Sequence, residues 1–207
     1  MKLNKIWPAI CLVGLLINIS SCKKLDEYLD KAESGGMTLE QVFGDYVLAE
    51  RFLANAYSKL PSEYATKYAN ASDEADSPHG TSGENQINNG AFSPAGNPYN
   101  NWTATYQAIR TVNIFLANAD KIPVLNAEQQ KGKPRMIGEA HFLRAFFYGE
   151  LFKRWGAVPI ITEVLDINEN MRVARNPVDE VVAFIVEECD KATELLEIQY
   201  SSAELGR

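Results

Sequence analysis

Apolar residues recur at helical spacing through most of this chain. Thr38, an N-cap residue type with Gln41 three positions on, opens a run of Val42, Phe43, Tyr46, Leu48, Ala49, Phe52, Leu53, Ala56, Tyr57 and Leu60, which Pro61 ends. A second helix is predicted from Asn101 to Asp120, with Trp102, Tyr106, Ile109, Val112, Asn113 and Leu116 along one stripe. A third, Lys133 to Trp155, is apolar on most of its circumference (Met136, Ile137, Ala140, Phe142, Leu143, Phe146, Phe147, Leu151, Phe152, Trp155) and must therefore be packed between other helices. Gly156 stops it, and Val158-Pro-Ile-Ile161 is extended. A fourth runs from Pro177 at the first helical position to Leu196, with Asn176 as cap and Val181, Val182, Ile185, Cys189, Ala192, Leu195 and Leu196 as its apolar stripe. No alternating strand of useful length occurs. The pattern predicts an all-α fold of antiparallel helix pairs with a long irregular loop.

That loop is residues 61–101, where Asn, Ser, Gly and Pro cluster, with a short helix at Tyr64 to Ala71. A stretch this long inside a compact domain tends to be functional. It is the first place to look for a site.

The N-terminus carries a different signal. Lys2 and Lys5 precede an apolar run, Ile6 to Ile17, too short for a stop-transfer helix, and Ile19-Ser20-Ser21-Cys22 follows. This resembles the lipobox of bacterial lipoproteins, which implies cleavage before Cys22 and lipidation of its thiol. The predicted organisation is a signal peptide at 1–21, a polar and acidic tether at 22–37, and a helical domain at 38–207. Several long acyl chains on one residue hold a membrane far better than a single myristoyl chain, at about 0.8 kcal/mol per buried methylene.

The chain has 20 Lys and Arg against 27 Asp and Glu, a formal charge of -7; loss of residues 1–21 removes Lys2 and Lys5 and brings it to -9. Nucleic acid is therefore not an expected partner. Past Cys22 the one remaining cysteine is Cys189, which excludes an intrachain disulfide in the processed protein, and its place on the apolar stripe predicts a buried structural thiol. The two histidines, His79 and His141, offer no metal-ligand motif, and Asp73-Glu74-Ala75-Asp76 lacks the alternating oxygen ligands of a calcium loop. No nucleophile elbow or phosphate-cradling loop is present, so neither an enzyme nor a cofactor is expected.

The block Gly138-Glu139-Ala140-His141-Phe142-Leu143-Arg144-Ala145-Phe146-Phe147-Tyr148, followed by Leu151-Phe152 and Trp155-Gly156-Ala157-Val158-Pro159-Ile160, resembles the SusD/RagB family of outer-membrane nutrient-binding lipoproteins. Trp102, Tyr106, Ile109 and Asn113, then Arg175, Val181, Ile185 and Ala192, agree in order and spacing. The resemblance implies helical hairpins of tetratricopeptide type. It also implies a lipid-anchored position at the outer membrane facing the cell surface, and capture of an oligosaccharide, less often a peptide, for a SusC-like TonB-dependent transporter. Relatives continue past a Gly-Arg into further helices, so a chain ending Leu205-Gly206-Arg207 reads as an N-terminal portion lacking the C-terminal half of the family. A helical scaffold or lid that binds no ligand, or a non-functional truncated fragment, is the alternative.

Sugar sites combine an aromatic plane with Asn, Asp, Gln or Arg around the hydroxyls. Tyr99 flanked by Asn97 and Asn100 is the candidate set, with Asn101, Asp73 and Asp76 also of suitable type. The competing reading makes these turn and cap residues, with Pro98 setting the chain and Asn101 capping the next helix. Trp102 belongs to a core stripe. His141, Arg144 and Tyr148, on one face of the third helix, read as a structural polar network between packed helices.

Overall fold

Where apolar residues recur at the helical period, helices form. The computed structural model describes residues 36–61, 68–75, 77–78, 83–93, 96–166 and 172–197. Six α-helices lie among them: α1 Leu39–Phe43, α2 Tyr46–Tyr57, α3 Gly83–Asn88, α4 Trp102–Asn118, α5 Ala127–Trp155 and α6 Val178–Leu195. No strand occurs among the described residues. The signal peptide and Cys22 lie outside them, as do Asp76, His79 and the Tyr64–Lys67 part of the predicted short helix, whose remainder is a 3-10 turn at Tyr68–Ala71.

The first predicted helix is two. Asp45 takes an extended conformation and its carboxylate accepts the Leu48 N–H at 2.9 Å, so it caps α2 and interrupts the run after Gly44. The long helix α5 begins at Ala127 rather than Lys133. Pro134 cannot donate a backbone hydrogen bond and reads as a boundary. The true start is Asn126, which caps α5 by accepting from Gln129 N–H at 2.9 Å, while Gln129 Oε1 accepts from Leu125 N–H at 2.8 Å. Lys133, inside α5, donates to the carbonyls of Asp120 and Ile122 at 3.1 and 2.9 Å and closes the end of the preceding segment. At the far end Gly156 sits at φ +64°, in the left-handed region that favours glycine.

Helix α5 is the centre of the body, packed by α4 on one side and α6 on another, with α2 also in contact. Ala108, Ile109, Val112 and Phe115 of α4 meet Met136, Ala140, Leu143, Phe147, Tyr148 and Leu151 of α5 in one buried core that Phe43 and Leu53 complete. Gly138 is where α6 comes closest: a Cβ there would lie 2.9 Å from Leu196 Cγ. The order of these helices is the all-α arrangement that the hydrophobic pattern predicts.

One buried polar network runs through this core. Glu188 of α6 is fully buried, and its Oε2 accepts from Arg144 Nε at 2.6 Å and pairs with His141 Nδ1 at 2.9 Å. Lys191 reaches Glu188 Oε1 at 3.1 Å. Arg144 also donates to Asn113 Oδ1 of α4 at 3.0 Å, and Asn113 Nδ2 donates to the carbonyl of Ile161 at 2.9 Å. Tyr148 OH accepts from Ile161 N–H at 2.7 Å, and burial pushes its pKa up to about 12. The expected polar network of His141, Arg144 and Tyr148 is present, with Glu188 and Asn113 as members that the pattern left out.

Glu188 also corrects the reading of α6. The helix is rotated so that Val181, Glu188 and Ala192 are buried, while Val182 and Leu195 are 40% and 36% exposed. Cys189, expected in the core, is half-buried. Asn176 does not cap the helix by the usual route. Pro177 holds the cap position, and Asn176 instead accepts from Ile160 N–H and donates to Glu180, both at 2.9 Å.

Glu188→Gln is expected to lower the unfolding free energy by about 3–5 kcal/mol, since it leaves buried Arg144 without its counter-charge. The urea midpoint at unchanged slope measures this. Burial pushes the Glu188 carboxyl up, but hydrogen bonds from His141 and Arg144 outweigh it and hold the pKa at about 2, below the ordinary 4.5. A lowered folded-state pKa stabilises above the unfolded value and is lost as pH falls through the folded one. Wild-type stability is therefore expected to fall between about pH 4.5 and 2, and this component of the slope to be absent in Glu188→Gln.

Candidate functional site

The segment between α2 and α4 is not structureless. Its asparagines and serines bond their own backbone: Asn89 Oδ1 accepts from Ala91 N–H at 3.1 Å, Ser93 Oγ from Gly96 N–H at 3.0 Å, and Asn97 Oδ1 from Tyr99 N–H at 2.9 Å. Such side-chain bonds replace helix or sheet ladders and give a fixed series of turns. Two longer ties close the segment on itself. Asn88 Nδ2 donates to the carbonyl of Asn70 at 2.8 Å, and Gly83 lies so close to Pro98 that any Cβ would collide with the proline ring. Helix α3 is thereby held against the stretch that carries Asn97 and Tyr99.

Between this segment and the C-terminal turn of α5 lies a cavity of about 520 Å³, lined by Ile87, Phe92, Asn97, Tyr99, Lys153 and Arg154. That volume is within the usual range for small-ligand sites, about 300–1,000 Å³. Tyr99 and Phe92 supply aromatic surface, and the cations come from α5. Glu150, 8% exposed, ties both of them: Lys153 pairs with its Oε1, and Arg154 Nη1 donates to its Oε2 at 2.8 Å. Burial pushes the Glu150 carboxyl up, yet the hydrogen bonds from Lys153 and Arg154 bring it below the usual carboxylate value. It stays ionised, so it holds both cations in place.

Of the three sequence candidates, Asn97 and Tyr99 line this cavity and Asn100 does not. Asn100 Oδ1 accepts from Trp102 N–H at 3.1 Å at the start of α4. Asn101, expected to cap that helix, occupies the cap position without a side-chain cap bond, and its Oδ1 is buried with no hydrogen-bond partner. Both readings of the asparagines therefore hold in part, because Asn97 forms a turn and still faces the cavity. Asp73 is exposed outside it. Ile87, Phe92, Lys153 and Arg154 were not foreseen; two adjacent cations in the last turn of the long helix were the available signal.

A second cavity, of about 440 Å³, lies between α4 and the 159–165 stretch and includes Trp102, Tyr106 and Arg110. Its aromatics are committed to structure. Trp102 packs edge-on against Trp155 at 5.2 Å with Arg175 over its ring, and Tyr106 donates to the Pro159 carbonyl at 2.8 Å. Among the described residues no cluster of three or more His, Cys, Asp or Glu is placed to hold a metal ion, and no helix is long and apolar enough to cross a membrane.

A sequence profile of a SusD-like family, described as starch-binding and associating with the outer membrane, matches residues 27–205. SusD-like protein P38 of Formosa agariphila is 24% identical over 207 aligned residues, covering 93% of this chain and 39% of that protein. The crystal structure of a SusD-like protein from Bacteroides fragilis superposes with a TM-score of 0.71 at 29% identity, over 80% of this chain and 32% of that one. A laminarin-binding SusD-like protein shares the fold, with a TM-score of 0.62 at 22% identity over 79% of this chain and 37% of its own. The chain thus spans between a third and two fifths of the length of these relatives.

Asn100→Ala is expected to lower the unfolding free energy by about 1 kcal/mol, because the Trp102 N–H loses its acceptor. Asn101→Ala removes an oxygen that makes no bond, so its midpoint is expected to stay level or rise. Urea unfolding of the two variants side by side measures the contrast.

Proposed function

Because the chain belongs to the SusD-like family of starch-binding proteins that associate with the outer membrane, we propose that it binds a nutrient oligosaccharide in the cavity between the 83–101 segment and α5. The bound glycan passes to a SusC-like TonB-dependent transporter. The protein acts without turnover, as a binding module anchored through acylated Cys22 and facing the cell surface.

The observation that carries this reading is Tyr99, presented beside Asn97 on the wall of a cavity of about 520 Å³. An aromatic plane takes the apolar face of a pyranose ring, and an amide engages its hydroxyls. Phe92, 48% exposed, widens the apolar floor. Lys153 and Arg154 add donors for ring oxygens. These are groups for holding a sugar, and none of them forms a nucleophile with its base or a carboxylate pair across a bond.

Tyr99→Ala is expected to weaken oligosaccharide binding about tenfold, the effect of about 1.4 kcal/mol of lost ring contact. Isothermal titration against a panel of neutral and acidic oligosaccharides measures it. Binding that Tyr99→Ala leaves unchanged would move the site elsewhere. Heat with no member of the panel would favour the scaffold reading, in which the helices only support a partner.

Cys22→Ser is expected to shift the protein from the detergent phase to the aqueous phase on detergent partitioning of expressing cells. Retention in the detergent phase would remove lipidation at Cys22 as the anchor.

A further inference from the structure

Both charged residues that line the cavity are cations, on a chain whose formal charge is -7. The partner of both is the single carboxylate of Glu150, so this wall of the cavity keeps an excess of one positive charge. The two differ in exposure. Arg154 is 16% exposed and donates to both the carbonyl and Oε2 of Glu150, at 2.9 and 2.8 Å, whereas Lys153 is 63% exposed and reaches solvent at the mouth. Arg154 is the fixed member and Lys153 the accessible one. The opposite wall is apolar, with Ile87, Phe92 and Tyr99.

A cation at the rim facing an aromatic floor suits a ligand with one apolar face and one negative group at its edge. A polyanion such as nucleic acid is disfavoured, since the remainder of the chain would repel it. A neutral glycan would use the floor and leave the charge idle. Resting on the glycan reading above, we propose that the cavity selects oligosaccharides carrying a carboxylate, the uronic acid class, with the ring stacked on Tyr99 and Phe92 and the carboxylate beside Lys153.

The test is isothermal titration of the full chain with a panel of uronic-acid oligosaccharides and with the same panel after carboxyl reduction, which keeps linkage and ring size and removes only the charge. At low ionic strength the acidic form is expected to bind about fivefold more tightly than its reduced counterpart. The two affinities should converge at high ionic strength as salt screens the contact. In Lys153→Gln the ratio between the two forms is expected to fall to near one. Equal affinities in the wild type, or tighter binding of the reduced form, would overturn the acidic preference and leave the glycan reading standing. A preference that Lys153→Gln does not reduce would also overturn the assignment. Heat with neither form, in any member of the panel, would overturn the acidic preference and the glycan reading together.

Discussion

The fully buried carboxylate of Glu188 is the constraint on which the rest of the body depends. An ionised group in an apolar interior is costly unless its charge is matched and its lone pairs are filled. Here the matching groups come from a neighbouring helix, with Arg144 and His141 on α5, and Lys191 adds a third from α6 itself. Glu188 can be satisfied only when α5 and α6 meet in one register and one rotation. Apolar packing alone tolerates some sliding, because hydrophobic contact is not directional. The ion pair is directional, and it selects one of the packings that the apolar stripes would allow.

From that pair the order propagates outward through hydrogen bonds. Arg144 passes it to Asn113 on α4, and Asn113 passes it to the carbonyls of Ile161 and Glu163 at 2.9 and 3.3 Å. Tyr148 grips Ile161 from the other side, and Asn176 takes Ile160. The extended Val158-Pro-Ile-Ile161 segment makes no ladder with another strand, and these side chains supply the partners that a sheet would have given it. The segment turns back along the helices at Gly156, directly after the turn of α5 that carries Lys153 and Arg154. The position of the cavity's cationic wall is thus tied to the network that Glu188 organises.

How much of this was legible depends on the residue. Helix type was readable wherever one stripe was apolar, as in α4, because burial of that stripe is what makes the helix. The failures came where a polar side chain overrode the stripe. Asp45 reads as an ordinary surface residue of a continuous helix until its carboxylate caps Leu48. Asn126 and Gln129 carry a legible start signal that Pro134 obscured, since a proline eight positions into a helix is normally unfavourable. Glu188 was invisible because sequence periodicity counts a glutamate as solvent-facing, and only a partner on another helix changes that. The candidate site was half legible: Tyr99 and Asn97 stand out by type within the loop, whereas Lys153 and Arg154 join them from a segment more than fifty positions later.

The asparagine-rich segment shows why turn-forming and ligand-facing roles need not compete. A loop that orders only on binding loses conformational freedom at that moment, and the loss weakens the complex. In this chain Asn89, Ser93, Asn97 and Asn100 already hold the backbone through local bonds, and the Gly83–Pro98 contact and the Asn88–Asn70 bond hold the segment to itself. The opposite wall is ordered in the same way, with Glu150 fixing Arg154 and limiting the rotamers of Lys153 before any ligand arrives. A shallow cavity with few donors has little interaction energy available. Its affinity therefore rests on how little it must rearrange, and the side chains that build the turns and the Glu150 pair are part of the binding function even where they touch no ligand.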